Sequence, residues 1–310
     1  MDTLAAETGF IRDNLEKVLR LCEVLHYIND NPFLSEHLVL KGGTAINLTV
    51  FHLPRLSVDI DLDFNKQCTR EEMLAIRERL NQDLTNYMFR GGYSLSPNTK
   101  NPHSLDSWVF YYQNSVGNKD NIKVEINYSM RHHILPVVAR RITVPFAGHD
   151  FDIRVLAPAE LFGSKIKALL ERAAARDLYD IHNMINHHII VDKEQELLRK
   201  IVLFYFIVGG NGNLSTLSKF EHIRRLNFPK IRSSLLPVLR RSDRFDLEAA
   251  KVGVISYFNK LLIYTDKEYS FAENFYQGSY CPELLFDDAA IAARIQDHPM
   301  AVWKMKRNNE

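Results

Sequence analysis

The chain has 310 residues, with 39 Lys+Arg against 38 Asp+Glu, 46% hydrophobic residues and 25% charged ones. That composition excludes a disordered acidic or basic chain and supplies apolar material for one or two cores; the length suggests about two domains. The net charge of +1 argues against a uniformly basic nucleic-acid binder but not against a local basic surface. The longest apolar run, Ile201 to Val208, is far short of the ~20 residues of a spanning helix. The N-terminal Met1-Asp-Thr-Leu-Ala-Ala-Glu has no basic region followed by an apolar stretch, so neither a membrane partner nor a secretory signal is expected. Three widely spaced cysteines, Cys22, Cys68 and Cys281, point away from a disulfide framework or zinc site and toward a reducing cytoplasm.

Apolar residues recur at helical spacing from Phe10 to Ile28, and Asn29-Asp-Asn-Pro32 ends that helix. A short strand, His37 to Leu40, enters Lys41-Gly-Gly-Thr44, and Ala45 to Phe51 reads as a short helix. Ser57 to Phe64 alternates as a strand. Thr69-Arg-Glu-Glu72 is a capping-box pattern opening a helix that ends near Gly91-Gly92. Ser107 to Gln113 and Asn121 to Tyr128 are strand-like around the turn Ser115 to Asp120, and Arg141 to Phe146 with Phe151 to Leu156 flank a turn at Ala147-Gly148-His149. Pro158 suits the first turn of a helix to about Arg172, Arg176 to His188 follows, and from Asp192 nearly everything reads helical. The expected division is residues 1–157 against a helical 158–310.

The segment Arg55-Leu-Ser-Val-Asp59-Ile-Asp61-Leu-Asp63-Phe64 is the most informative. In a strand, Val58, Ile60, Leu62 and Phe64 point one way and Ser57, Asp59, Asp61 and Asp63 the other. Aligned acids repel unless water or a cation screens them. Asp59 and Asp61, ~7 Å apart at their Cα atoms, are close enough to converge on a hard cation such as Mg²⁺; the other reading is a half-buried strand whose acidic side faces water or pairs with Lys and Arg. Ile122-Lys-Val-Glu125-Ile-Asn-Tyr128 has the same parity. If it pairs beside the Asp strand, Glu125 joins Asp59 and Asp61 in a site for in-line phosphoryl or nucleotidyl transfer. Upstream, Gly42, Gly43 and Thr44 precede a helix N-terminus, an arrangement that brings backbone N–H groups and a hydroxyl to phosphate.

Gly42-Gly43-Thr44 followed by Asp59-x-Asp61 resembles the first motif of the polymerase-β-type nucleotidyltransferase superfamily. The fuller strings are more similar to the AbiEii/AbiGii toxin family: Lys41-Gly-Gly-Thr-Ala-Ile-Asn-Leu48, Arg55-x-Ser57-x-Asp59-Ile-Asp61-Leu62, Glu160-Leu-Phe-Gly-Ser-Lys165-Ile-Lys-Ala-Leu-Leu-Glu-Arg172 and Arg176-Asp177-Leu-Tyr-Asp180. The resemblance implies an α+β fold: a polymerase-β-like mixed sheet with flanking helices, then a mainly helical C-terminal domain. It implies a toxin that uses NTP and Mg²⁺ (or Mn²⁺) to add NMP to the 3′ acceptor end of tRNA, blocking translation in a toxin–antitoxin or phage-defence system. It also implies a co-encoded antitoxin, often a winged-helix regulator. Position by position, Asp59 and Asp61 become metal ligands, Ser57 lies near the triphosphate, Lys165 contacts nucleotide phosphates, and Asp177 is the acid of the last motif, supported by Arg176 and Asp180. Thr44 stands where the superfamily often has Ser, and Asp63 is an additional acid that either binds metal or extends the strand.

On the residues alone, Asp177 either orders Lys165 or serves as a general base. Between Lys219 and Arg244 the local net charge is +6, with Phe220, Phe228 and Phe245 interleaved. Arg224, Arg225, Lys230, Arg232, Arg240 and Arg241 are candidate RNA contacts, since basic residues hold phosphates while aromatics stack exposed bases. Arg131, Arg140 and Arg141 form a second basic stretch with His132-His133. The histidines lack zinc-pair spacing. Two other readings stay open: transfer to a protein or small-molecule acceptor, and a non-catalytic module that binds a nucleotide or partner.

Overall fold

The computed structural model describes residues 1–97, 99–144, 150–210, 214 and 220–308. Two compact units emerge. One comprises Met1–Arg131, Val137–Leu156 and Pro237–Asp243; the other comprises His132–Pro136, Ala157–Leu236 and Arg244–Glu310. The main crossing lies between Leu156 and Ala157, and Pro237–Asp243 is an excursion from the helical half of the sequence. It is tied into the first unit by the Leu56 N–H donating to the Val238 carbonyl and the Arg241 N–H donating to the Gly9 carbonyl. The Arg240 guanidinium also lies 4.8 Å from the centre of the Phe10 ring.

The first unit is built on a seven-stranded mixed sheet with the order β3-β4-β5-β2-β1-β7-β6. The strands are β1 (Leu38–Lys41), β2 (Asp59–Phe64), β3 (Ser94–Leu95), β4 (Leu105–Gln113), β5 (Lys119–Asn127), β6 (Val138–Ile142) and β7 (Phe151–Val155). Among its helices are α1 (Asp2–Thr8), α2 (Arg12–Asp30), α3 (Pro32–His37), α4 (Gly42–Thr49) and α5 (Arg70–Arg90). Pro32 does more than stop α2. It opens α3, whose Asn31 cap accepts from the Phe33 and Leu34 N–H groups. Thr69 and Glu72 form the expected capping box of α5. β6 and β7 form the expected antiparallel pair, but β6 begins at Val138 and ends at Ile142 rather than running from Arg141 to Phe146; the turn at 147–149 lies outside the described residues.

Alternation on the two inner strands decides what is core. Ile60, Leu62 and Phe64 of β2 and Ile122, Val124 and Ile126 of β5 are all buried, while residues between them carry the charge. A buried polar cluster locks α5 onto the sheet. Arg77 donates to both oxygens of Asp106, at 3.0 and 2.5 Å, and the Tyr128 hydroxyl donates to Asp106 at 3.0 Å. Three donors on one buried carboxylate satisfy it in a place where an unpaired charge is costly.

The second unit is helical. It includes α6 (Pro158–Arg172), α7 (Ala175–Asn186) and α8 (Gln195–Gly209). The apolar run Ile201–Val208 is the buried body of α8, and no described helix is long and apolar enough to cross a membrane. Gly163 lets α6 and α8 meet closely, because a Cβ there would stand 2.4 Å from Ile201 Cγ2. Glu160 is fully buried and accepts from the Ile134 and Leu135 N–H groups and from the Tyr205 hydroxyl. That explains why residues 132–136 belong with the helices.

Candidate active site

In the first unit, β2 lies between β1 and β5. Lys41 is opposite Asp61 across the antiparallel pair, and Glu125 is opposite Asp61 across the parallel pair. Ser107 of β4 is in turn opposite Glu125. Residues directly opposite share a face, so Lys41, Asp61, Glu125 and Ser107 form one row across four strands. Asp59 and Lys123 form the adjacent row. Asp59, Asp61 and Glu125 are half-exposed, whereas Asp63 is buried.

The acids on this face have different partners. Lys41 forms an ion pair with Asp63. Burial pushes the Asp63 carboxyl up, the Lys41 ammonium opposes that rise, and the neighbouring Asp61 adds to it. Asp63 therefore extends the acid face inward as the counter-ion of Lys41. Glu125 accepts from the Ser107 hydroxyl at 2.8 Å and pairs with Lys123 at 2.8 Å, both through Oε1. Thr44 is fully buried; its hydroxyl lies 2.9 Å from the Ser57 hydroxyl and bonds the Asp59 carbonyl oxygen. This ties α4 to the entry of β2.

Gly42 sits at φ +70°, and a Cβ there would stand 2.3 Å from Asp61 Oδ2. Only glycine lets the Asp61 carboxylate rest against the first turn of α4. Half-exposed carboxylates beside a glycine-floored helix start have the hard oxygen chemistry that suits a magnesium-type cation, so Asp59 and Asp61 fit one. Among the described residues, however, no three His, Cys, Asp or Glu side chains are gathered into a ready metal group. Glu125 is in the adjoining strand but held by Lys123 and Ser107.

In the second unit, Lys165 is 8% exposed and lies between two carboxylates, 3.0 Å from Asp177 Oδ1 and 3.3 Å from Asp180 Oδ2. Arg172 Nε donates to the other Asp177 oxygen at 3.0 Å. Ala173 adopts a left-handed turn after α6, so α7 folds back and brings Asp177 beside Lys165. Burial would raise the Asp177 carboxyl, but Lys165 and Arg172 outweigh it and hold it below the ordinary carboxylate range. In this position Asp177 anchors Lys165. Asp180 is the second direct partner of Lys165.

The basic stretch divides. Arg240 and Arg241 belong to the first unit, and Arg224, Arg225, Lys230 and Arg232 to the second. The latter four are exposed, and Phe228 among them is 60% exposed. Phe220 is buried against Phe258, and Phe245 packs near Tyr179 and His182. Lys219 lies outside the described residues. Arg240 is spent in part on structure, donating to the Leu53 carbonyl at 3.1 Å.

Two substitutions test these placements. Gly42→Ala should destabilise by ~1–3 kcal/mol in chemical denaturation. Gly92→Ala is the control, because Gly92 shares a positive φ but has open space around it; equal losses would show that the Asp61 contact relaxes without strain. Asp177→Asn should remove ~3 kcal/mol at neutral pH by leaving Lys165 and Arg172 under-compensated. Because the folded carboxyl lies below its unfolded value of ~3.9, the gap between wild type and variant is complete above that value. It should close as pH falls through the lower folded value; denaturation at pH 7 and at pH 3 reads it.

A model of the family described as nucleotidyl transferase AbiEii toxin, type IV toxin–antitoxin system, matches residues 24–248. Among solved structures, MenT4, a nucleotidyltransferase toxin from Mycobacterium tuberculosis H37Rv, matches with a TM-score of 0.60 over 97% of this chain and 98% of that one, at 18% identity. That likeness carries the fold. No curated protein matches in sequence. A type IV toxin–antitoxin setting implies an antitoxin partner. With the family model spanning well over half its length, the chain belongs to the AbiEii nucleotidyltransferase toxin family.

Proposed function

We propose that this toxin transfers NMP from an NTP to the 3′ acceptor end of tRNA, with Mg²⁺ held by Asp59 and Asp61 and joined by Glu125. The observation that carries this reading is the row across β1, β2, β5 and β4, in which Asp61 rests against Gly42 and faces Glu125. When bound, the divalent cation supplies charge neutralisation at the triphosphate and activation of the attacking oxygen. The chain's own groups do the rest. The Gly42 and Gly43 backbone and the α4 N-terminus face phosphate oxygens, and Thr44 and Ser57 hold that turn against Asp59. Lys165 has three N–H donors; Asp177 and Asp180 take two, and the third serves nucleotide phosphate.

In the reaction, the acceptor 3′ oxygen bonds the α-phosphorus, the bond from that phosphorus to the bridging oxygen breaks, and pyrophosphate leaves with the electron pair. The hydroxyl proton passes to solvent. Arg224, Arg225, Lys230 and Arg232, with exposed Phe228, suit an RNA phosphate backbone and an unstacked base. The reading puts the protein's action in the cytoplasm, under a winged-helix antitoxin, with loss of aminoacylation as the outcome.

The test incubates wild type and Asp59→Ala/Asp61→Ala with Mg²⁺, each labelled NTP in turn and total tRNA. Label should enter tRNA in wild type and fall at least ~100-fold in the double variant, since metal-assisted charge stabilisation is worth several kcal/mol. Label appearing on protein or a metabolite instead would overturn the RNA acceptor. Undiminished transfer by the double variant would overturn the carboxylate assignment.

A further inference from the structure

The Glu125 carboxylate has two partners on its own sheet. Lys123 lies two residues earlier on the same face of β5, opposite Asp59, and its Nζ sits 2.8 Å from Glu125 Oε1. The Ser107 hydroxyl donates to that same oxygen at 2.8 Å. That oxygen is thereby committed to its own strand and to β4. Among the described residues the three acids do not form a gathered metal group.

We propose that Lys123 and Ser107 are a latch on Glu125, and that a divalent cation seated on Asp59 and Asp61 completes its ligand set by displacing the Lys123 ammonium. The inference rests on the metal-dependent reading above. Lys123 is a single charge on a flexible stem, and its side chain is 39% exposed, so it has water to move into. A doubly charged cation that prefers oxygen ligands outcompetes it for the same oxygen once two carboxylates already hold the ion. Lys41 differs in this respect. Its partner Asp63 is buried, so that pair stays closed while the Lys123 pair opens. Paired with Glu125, Lys123 supplies positive charge on a face that otherwise carries crowded acids. The cation-loaded state frees the ammonium beside Asp59, where it meets incoming phosphate.

Lys123 is thus a positioning residue acting through Glu125, and metal affinity reads it directly. Mn²⁺ would be titrated into the full chain by calorimetry and by loss of the free-ion electron paramagnetic resonance signal, for wild type, Lys123→Met, Lys123→Arg, Glu125→Gln and the Lys123→Met/Glu125→Gln pair. Lys123→Met should bind Mn²⁺ about tenfold more tightly than wild type, ~1.4 kcal/mol, and Lys123→Arg should restore the wild-type value. The gain should vanish in the Glu125→Gln background. Equal or weaker binding by Lys123→Met overturns the latch, and so does a gain that persists without the Glu125 carboxylate. Absence of Mn²⁺ binding by every variant, wild type included, overturns the metal-dependent reading itself.

Discussion

Three carboxylates at alternate positions of one central strand are the constraint on which the first unit is arranged. Asp59, Asp61 and Asp63 share a face, and their charge has to be met by neighbours or by solvent. The sheet order supplies the neighbours. Placing β1 on one side brings Lys41 to Asp63, and placing β5 on the other brings Lys123 and Glu125 alongside. Asp59 and Asp61 remain half-exposed between these pairs. The apolar alternates, Ile60, Leu62 and Phe64, are fully buried, so the register cannot slip by one residue without burying the acids and exposing the core. The same alternation therefore fixes the fold and sets the acids on the face opposite the core, where Asp59 and Asp61 stay half-exposed.

The second unit uses a related device with the signs reversed. A buried lysine is set between two aspartates, and an arginine completes the nearer one. A buried ammonium without such partners is unfavourable, so α7 must fold back on α6 for Lys165 to remain charged inside. Gly163 and Glu160 serve that same helix from the other side. One admits α8 within a Cβ's reach, and the other pins residues 134 and 135. The motif read as Glu-Leu-Phe-Gly-Ser-Lys is thus mostly packing chemistry, and its Lys165 is a buried charge held between two aspartates.

What the sequence made legible was set by short-range rules. Alternation placed the β2 acids, the capping box placed α5, and the shared parity of β2 and β5 anticipated the pairing of Asp61 with Glu125. Long-range partners were not legible. Nothing in the pattern told that Asp63 faces Lys41, that Lys123 and Ser107 converge on one Glu125 oxygen, or that Thr44 is turned inward to Ser57. These depend on strand order and register between segments tens of residues apart. The basic stretch shows the same limit, since its local charge gave no sign that Arg240 and Arg241 fold with the first unit. Lys123 did carry a signal, its outward parity two residues from Glu125, but its meaning needs the neighbouring strand.

The central claim is that the Asp59–Asp61 face is where cation and nucleotide meet. The most direct measurement is the position of Mn²⁺, located by anomalous scattering in crystals grown with a non-hydrolysable NTP analogue. The account predicts Mn²⁺ coordinated by Asp59 and Asp61 carboxylate oxygens, with the triphosphate at the Gly42–Gly43 turn. Mn²⁺ and triphosphate bound away from those carboxylates would contradict it.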